Sequence, residues 1–124
     1  MNYRILIVDD IFVNRLLLKE IVKKFSEICF EAQNGKEAID ILNKEDLDVV
    51  LMDIEMPVMN GLETTRYIRN KISAPKNKIP IIALTAHNPA TFFDDFKEVG
   101  FNQLITKPYS VDNILRNIQE VCKK

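Results

Sequence analysis

A doubly wound α/β domain, a (βα)5 arrangement around a five-stranded parallel sheet, is the fold class the sequence predicts, and three observations predict it. Short apolar runs alternate five times with longer stretches of helical periodicity. The clearest runs, Ile5-Leu6-Ile7-Val8 and Val49-Val50-Leu51-Met52, are continuous, which marks strands covered on both faces. Several runs end directly on a polar or charged residue. Such alternation implies helices on both faces of a parallel sheet, joined by right-handed crossovers.

Taken in order, Ile5–Val8 reads as a buried first strand ending in Asp9-Asp10. Ile11 to Phe25 follows as a helix with Leu17, Leu18, Ile21, Val22 and Phe25 on its core-facing stripe, while Phe12 and Leu16 fall outside that stripe and are expected at the surface. Ile28–Ala32 is a second strand closed by Asn34-Gly35, and Lys36 to Asn43 a short helix with Ala38, Ile39 and Leu42 on one side. Asp48–Asp53 is the third strand, and a helix from Leu62 to Ile72 turns Leu62, Thr65, Ile68 and Ile72 inward. A polar loop, Ser73–Lys78, contains a proline breaker. The fourth strand, Ile79–Thr85, tolerates Pro80 near its start. Asn88-Pro89 has the form of a cap followed by proline at the first helical position, opening a helix that Gly100 closes. Gln103–Thr106 is the fifth strand. Val111–Val121 is the last helix, with Ile114, Leu115, Ile118 and Val121 inward.

Bulk composition narrows the function classes. The 124 residues suit one domain, 1–124, with no linker, repeat or low-complexity tract, and 47% hydrophobic residues supply a core. Seventeen Lys and Arg against 18 acids leave no block of one sign for nucleic acid or an anionic membrane. Neither a membrane-length apolar run nor a signal-peptide pattern occurs, so a cytoplasmic location is the default expectation. Cys29 and Cys122 lack any paired spacing and read as structural thiols.

Parallel strands would bring Asp9 and Asp10, Asp53, Thr85 and Lys107 to one edge, the edge at which open α/β sheets bind ligands. Alone, Asp53 is a strand-ending acid, Lys107 a surface lysine and Thr85 a strand-end threonine. Their joint placement carries the weight. Three crowded carboxylates repel one another, and a divalent cation among them would offset this. Mg²⁺ suits one or two carboxylates plus a phosphate. A carboxylate can also attack phosphorus and become an aspartyl phosphate. Asp53, between the other groups, is the candidate acceptor, with Lys107 and Thr85 holding the phosphoryl oxygens.

Those residues resemble the receiver domain of two-component response regulators over nearly the whole chain. Asp9-Asp10 is similar to the family's acidic pair, Met52–Gly61 to its phosphoacceptor loop, Leu84-Thr85-Ala86 to its switch hydroxyl and Thr106-Lys107-Pro108 to its lysine. The chain is chemotaxis-regulator-like, and the Asp53 loop, Asn14-Arg15 and Ala83–His87 are most similar to receivers of hybrid sensor histidine kinases. The resemblance implies a flavodoxin-like fold with strand order 2-1-3-4-5. It also implies Mg²⁺ held by the carboxylates of Asp10 and Asp53, by the main-chain carbonyl of Glu55 and by Asp9 mostly through water, and a cis bond at Lys107-Pro108.

By the same resemblance the phosphodonor is a phosphohistidine on a sensor histidine kinase or histidine phosphotransfer protein. The activity it implies is self-phosphorylation with slow autodephosphorylation, not turnover of an external substrate. The expected output is a protein target met through the face around Asn88 to Tyr109, by a monomer or weak dimer, with no direct contact to nucleic acid or membrane. No effector segment follows Val121, which fits a stand-alone regulator or a piece of a hybrid kinase. Where the family commonly has an aromatic residue three positions before the lysine, this chain has Leu104, so the signal is expected to run through the loop after Thr85 and the helix after Asn88. For His87, two positions after Thr85, and for Glu55, two after Asp53, the resemblance implies an influence on phosphate lifetime. Among Phe92, Phe93 and Phe96, one ring is expected at an interface. Phe12 and Leu16 suit docking of a helical phosphodonor. Three rivals fit less well. A flavin or nucleotide binder would need a phosphate-cradling loop where Asp9-Asp10-Ile11 stands. A phosphatase with an Asp nucleophile would need a second Asp where Glu55 stands. An interaction domain that is never phosphorylated would have no use for Asp9, Asp10, Asp53, Thr85 and Lys107 together.

Overall fold

Five parallel strands form one sheet in the order β2-β1-β3-β4-β5, with β1 at Arg4–Val8, β2 at Ile28–Ala32, β3 at Val49–Asp53, β4 at Ile81–Thr85 and β5 at Gln103–Thr106. The structure, a computed structural model, describes residues 3–54, 56, 59–86 and 98–122. Every residue of β3 and β4 is buried, which explains why both read as unbroken apolar runs. Register aligns Val8 with Met52, Asp53 with Leu84, and Thr85 with Thr106, so the carboxyl ends of these strands finish along one edge.

Strand alternation divides the core in two. Leu6, Val8, Val50, Met52, Ile81 and Ala83 face one way, against Ala38 and Leu42 of α2 (Gly35–Lys44) and Ile68 of α3 (Gly61–Lys71). Ile5, Ile7, Val49, Leu51, Ile82 and Leu84 face the other, against Leu18, Ile21 and Val22 of α1 (Phe12–Val22) and Ile114 and Ile118 of α4 (Val111–Val121). Helices therefore cover both faces, as the sequence predicts.

Details of α1 differ from expectation. The helix ends at Val22, and the chain continues in turns through Phe25, whose ring packs on the α1–α4 side. Leu17, expected inward, is 48% exposed. Leu18, Ile21 and Val22 already fill the three- and four-residue spacing, with Arg15 one turn earlier, and Leu17 follows Val13 by four residues onto the outer side. Phe12 and Leu16 are exposed as expected. Along α4, Ile114 and Ile118 are fully covered and Leu115 and Val121 partly so.

Local chemistry sets the ends of the helices. Asn34 caps α2 by accepting from Glu37 N–H, and Asn60 and Glu63 form a reciprocal capping box at α3. Gly61 sits so close to β3 that a Cβ there would lie 2.5 Å from the Asp53 carbonyl oxygen. Ser73–Lys78 holds a 3₁₀ turn at Lys76–Lys78, and the Lys76 ammonium donates to the carbonyls of Leu42 and Glu45, at the C-terminal end of α2. Glu98 and Val99 are helical, and Gly100 follows with φ +115°, the left-handed conformation expected of a closing glycine. The opening of that helix at Asn88-Pro89 lies outside the described residues. Beside Gly100, the Arg69 guanidinium donates to the carbonyls of Gly100, Asn77 and Ile79 and to Asn102 Oδ1, tying α3 to the segments that flank β4. Lys107-Pro108 is cis, as expected, and Ala74-Pro75 is cis as well.

Candidate functional site

Asp9 follows β1 directly and is fully buried. Its N–H donates to Ala32 O (3.1 Å), and its Oδ1 accepts from Ile11 N–H (2.9 Å), which bends the chain into α1. From the first turns of α1, Arg15 reaches back and donates to the Asp9 carbonyl (2.8 Å), while Glu31 receives both Arg15 and Lys19. That pairing with Glu31 raises the Lys19 ammonium above its usual range. Arg15 thus holds the main chain of the Asp9 turn in place from behind.

Asp53 ends β3 at 2% exposure, with Lys107 Nζ 3.5 Å from its Oδ1. Lys107 is positioned by backbone pairing, its N–H donating to Thr85 O (2.8 Å), and Thr85 is fully buried at the end of β4. Asp9, Asp10 and Asp53 each offer one carboxylate oxygen, and the three oxygens lie within 4.8 Å of one another. Asp9 Oδ2 and Asp10 Oδ1 are buried without a hydrogen-bond partner among the described residues. A cluster of oxygen donors with orphaned lone pairs is what a hard divalent cation requires, so the residues present fit such an ion.

Fold and register bring together Asp9, Asp10, Asp53, Thr85 and Lys107 from four separate parts of the chain at one sheet edge. Glu55, expected to contribute its main-chain carbonyl, lies outside the described residues, as do His87, Phe92, Phe93 and Phe96. Leu104 is partly buried and packs on the α2–α3 side of the sheet. Two features escape sequence reasoning. Arg15 acts on the Asp9 turn across a loop, and no residue periodicity reports such a reach. Tyr109 places a buried hydroxyl with no hydrogen-bond partner among the described residues, and its phenol is pushed well up by burial first and by the charges of Asp9 and Asp53 after it. Its position two residues after Lys107 was the only signal available.

This geometry defines an α/β domain with an acidic, cation-ready pocket and a lysine at its carboxyl edge. Residues 5–119 match the family model of the response regulator receiver domain, and the chain belongs to that family, the receiver domains of two-component signalling. Sporulation initiation phosphotransferase F of Bacillus subtilis is 37% identical over 114 residues, covering 92% of this chain and 89% of that protein. Several other curated relatives are much longer, the chain spanning 47% of one and 5% of another. Among solved structures, the receiver domain of sensor histidine kinase PA1611 from Pseudomonas aeruginosa, which has magnesium coordinated in its active-site cleft, superimposes with TM-score 0.88 at 26% identity over all of both chains. The receiver domain of the Saccharomyces cerevisiae response regulator Ssk1, crystallised with the histidine phosphotransfer protein Ypd1, gives TM-score 0.85 at 28% identity, covering 96% of this chain and 88% of that one.

Proposed function

We propose that this chain is a single receiver domain, residues 1–124, that takes a phosphoryl group from phosphohistidine onto Asp53 and switches conformation to control a partner. The observation that carries the proposal is the convergence of three carboxylate oxygens within 4.8 Å, with Lys107 3.5 Å from Asp53. Asp10 and Asp53 through their carboxylates, Glu55 through its main-chain carbonyl and Asp9 mostly through water would hold Mg²⁺, which would offset charge on the phosphoryl oxygens. An oxygen of Asp53 attacks phosphorus and forms a P–O bond. The P–N bond to the donor breaks, and its electron pair stays on the imidazole, which takes a proton from solvent. Lys107 and the Thr85 hydroxyl then donate to the phosphoryl oxygens, so the switch hydroxyl engages only when phosphate is present.

The donor is a sensor histidine kinase or a phosphotransfer protein that presents its histidine on a helix. Exposed Phe12, Val13, Leu16 and Leu17 supply an apolar face for such a helix beside the acid site. The Arg15 guanidinium lies 5.6 Å from the centre of the Phe12 ring, a cation–π contact that ties the exposed ring to this face. The described residues contain no helix long and apolar enough to cross a membrane. We place the domain in the cytoplasm as a monomer or weak dimer, with its output through the face around Asn88 to Tyr109. Incubation with acetyl phosphate and Mg²⁺, read by intact mass, tests the acceptor. Wild-type protein gains one phosphoryl group and Asp53→Asn gains none. Equal uptake by the two proteins rejects Asp53.

A further inference from the structure

The ring of Tyr109 packs on the α1–α4 side of the sheet, against the core cluster that contains Ile7, Leu51 and Leu84. Strand alternation carries Asp9 and Asp53 to that same side, two residues beyond Ile7 and Leu51. At this corner the structure leaves one buried donor, the Tyr109 hydroxyl, and two buried acceptors, Asp9 Oδ2 and Asp10 Oδ1, each without a hydrogen-bond partner among the described residues, and of the two acids it is Asp9 that shares Tyr109's side of the sheet. Packing alone would favour phenylalanine here, because a buried hydroxyl that bonds to nothing is a cost. One water accepting from the phenol and donating to the carboxylate satisfies both groups.

We infer that Tyr109 is a positioning residue of the acid site, its hydroxyl steering Asp9 through one water into the orientation that receives a divalent cation. The inference rests on reading the acid cluster as a cation site.

Tyr109→Phe removes the hydroxyl and keeps the ring. In EDTA this variant folds and melts close to the wild-type temperature, because the ring and its packing on the α1–α4 side are kept. Its Mg²⁺ affinity by calorimetry is weaker by about tenfold, the low end of what losing an outer partner of a metal ligand costs. A purely structural role would move the melting temperature and leave the affinity alone. In wild-type protein, Mg²⁺ also shifts the ring Cζ resonance of Tyr109, with exposed Tyr67 as the internal control. Unchanged Mg²⁺ affinity in Tyr109→Phe, or an unmoved resonance, overturns the inference while the cation site stands. A wild-type protein that binds no Mg²⁺ overturns the cation site itself, and the inference with it.

Discussion

Asp9, Asp10 and Asp53 crowd three carboxylates into a space fit for one ion, and the Lys107 ammonium, 3.5 Å from Asp53, offsets part of that charge. The metal-free site is therefore held together against repulsion by the surrounding backbone. Asp53→Asn should raise stability in EDTA by roughly 1 kcal/mol, less than the ~4 kcal/mol of bare Coulomb repulsion near a surface, because Lys107 loses its partner at the same time. Mg²⁺ reverses the order. At a hundred times its dissociation constant it stabilises wild-type protein by about 2.7 kcal/mol, and the variant by much less. Urea unfolding of both proteins, with EDTA and with Mg²⁺, reads out the crossover. No crossover would mean that the acids do not act as one charged unit.

At the scale of the element, α3 is fixed at both ends by different chemistry. Its first residue, Gly61, lies against the end of β3, and near its last turn Arg69 spans to Gly100, Asn102, Asn77 and Ile79. Burial lowers the guanidinium pKa, and the acceptors recorded for it are neutral oxygens, so its cost of burial is met by hydrogen bonds. Arg69→Met keeps the stem, strands those carbonyls, and should cost about 2–4 kcal/mol by breaking a part-buried network. Thermal unfolding measures the loss, and hydrogen exchange should localise it to the chain around Gly100 and to the Ile81 amide, which donates to the same Asn102 Oδ1 that accepts from Arg69. Strand and helix types were legible because apolar period and caps are local signals. Arg69, Arg15 and the outward turn of Leu17 were not, since each depends on what a side chain meets from a distant segment, and periodicity assigned Leu17 a place that Leu18, Ile21 and Val22 already fill.

For the whole molecule, the sheet edge was legible in its main parts: apolar runs ending in Asp9, Asp53 and Thr85 assemble into a pocket once register is set by burial on both faces. Tyr109 was not, because its role depends on the side of the sheet its ring packs against. The charge state of the folded chain also has a direction. Cys29 and Cys122 are pushed up to about 11, chiefly by burial, and Lys19 is raised by Glu31. In each case the folded state holds its proton to higher pH than the unfolded chain, so for the two thiols stability is at its plateau below about pH 8 and falls as pH rises from about 9 through 11, and Lys19 adds to the fall only above its ordinary value of 10.5. Denaturation midpoints across that window test the sign, and Cys29→Ala with Cys122→Ala should flatten the slope. A flat profile in the parent protein would contradict it. The strand order has a consequence during synthesis. Because β1 lies between β2 and β3, a growing chain that has reached Leu47 has one flank of β1 bare, and that flank stays open to neighbouring nascent chains until Val49–Asp53 leaves the ribosome.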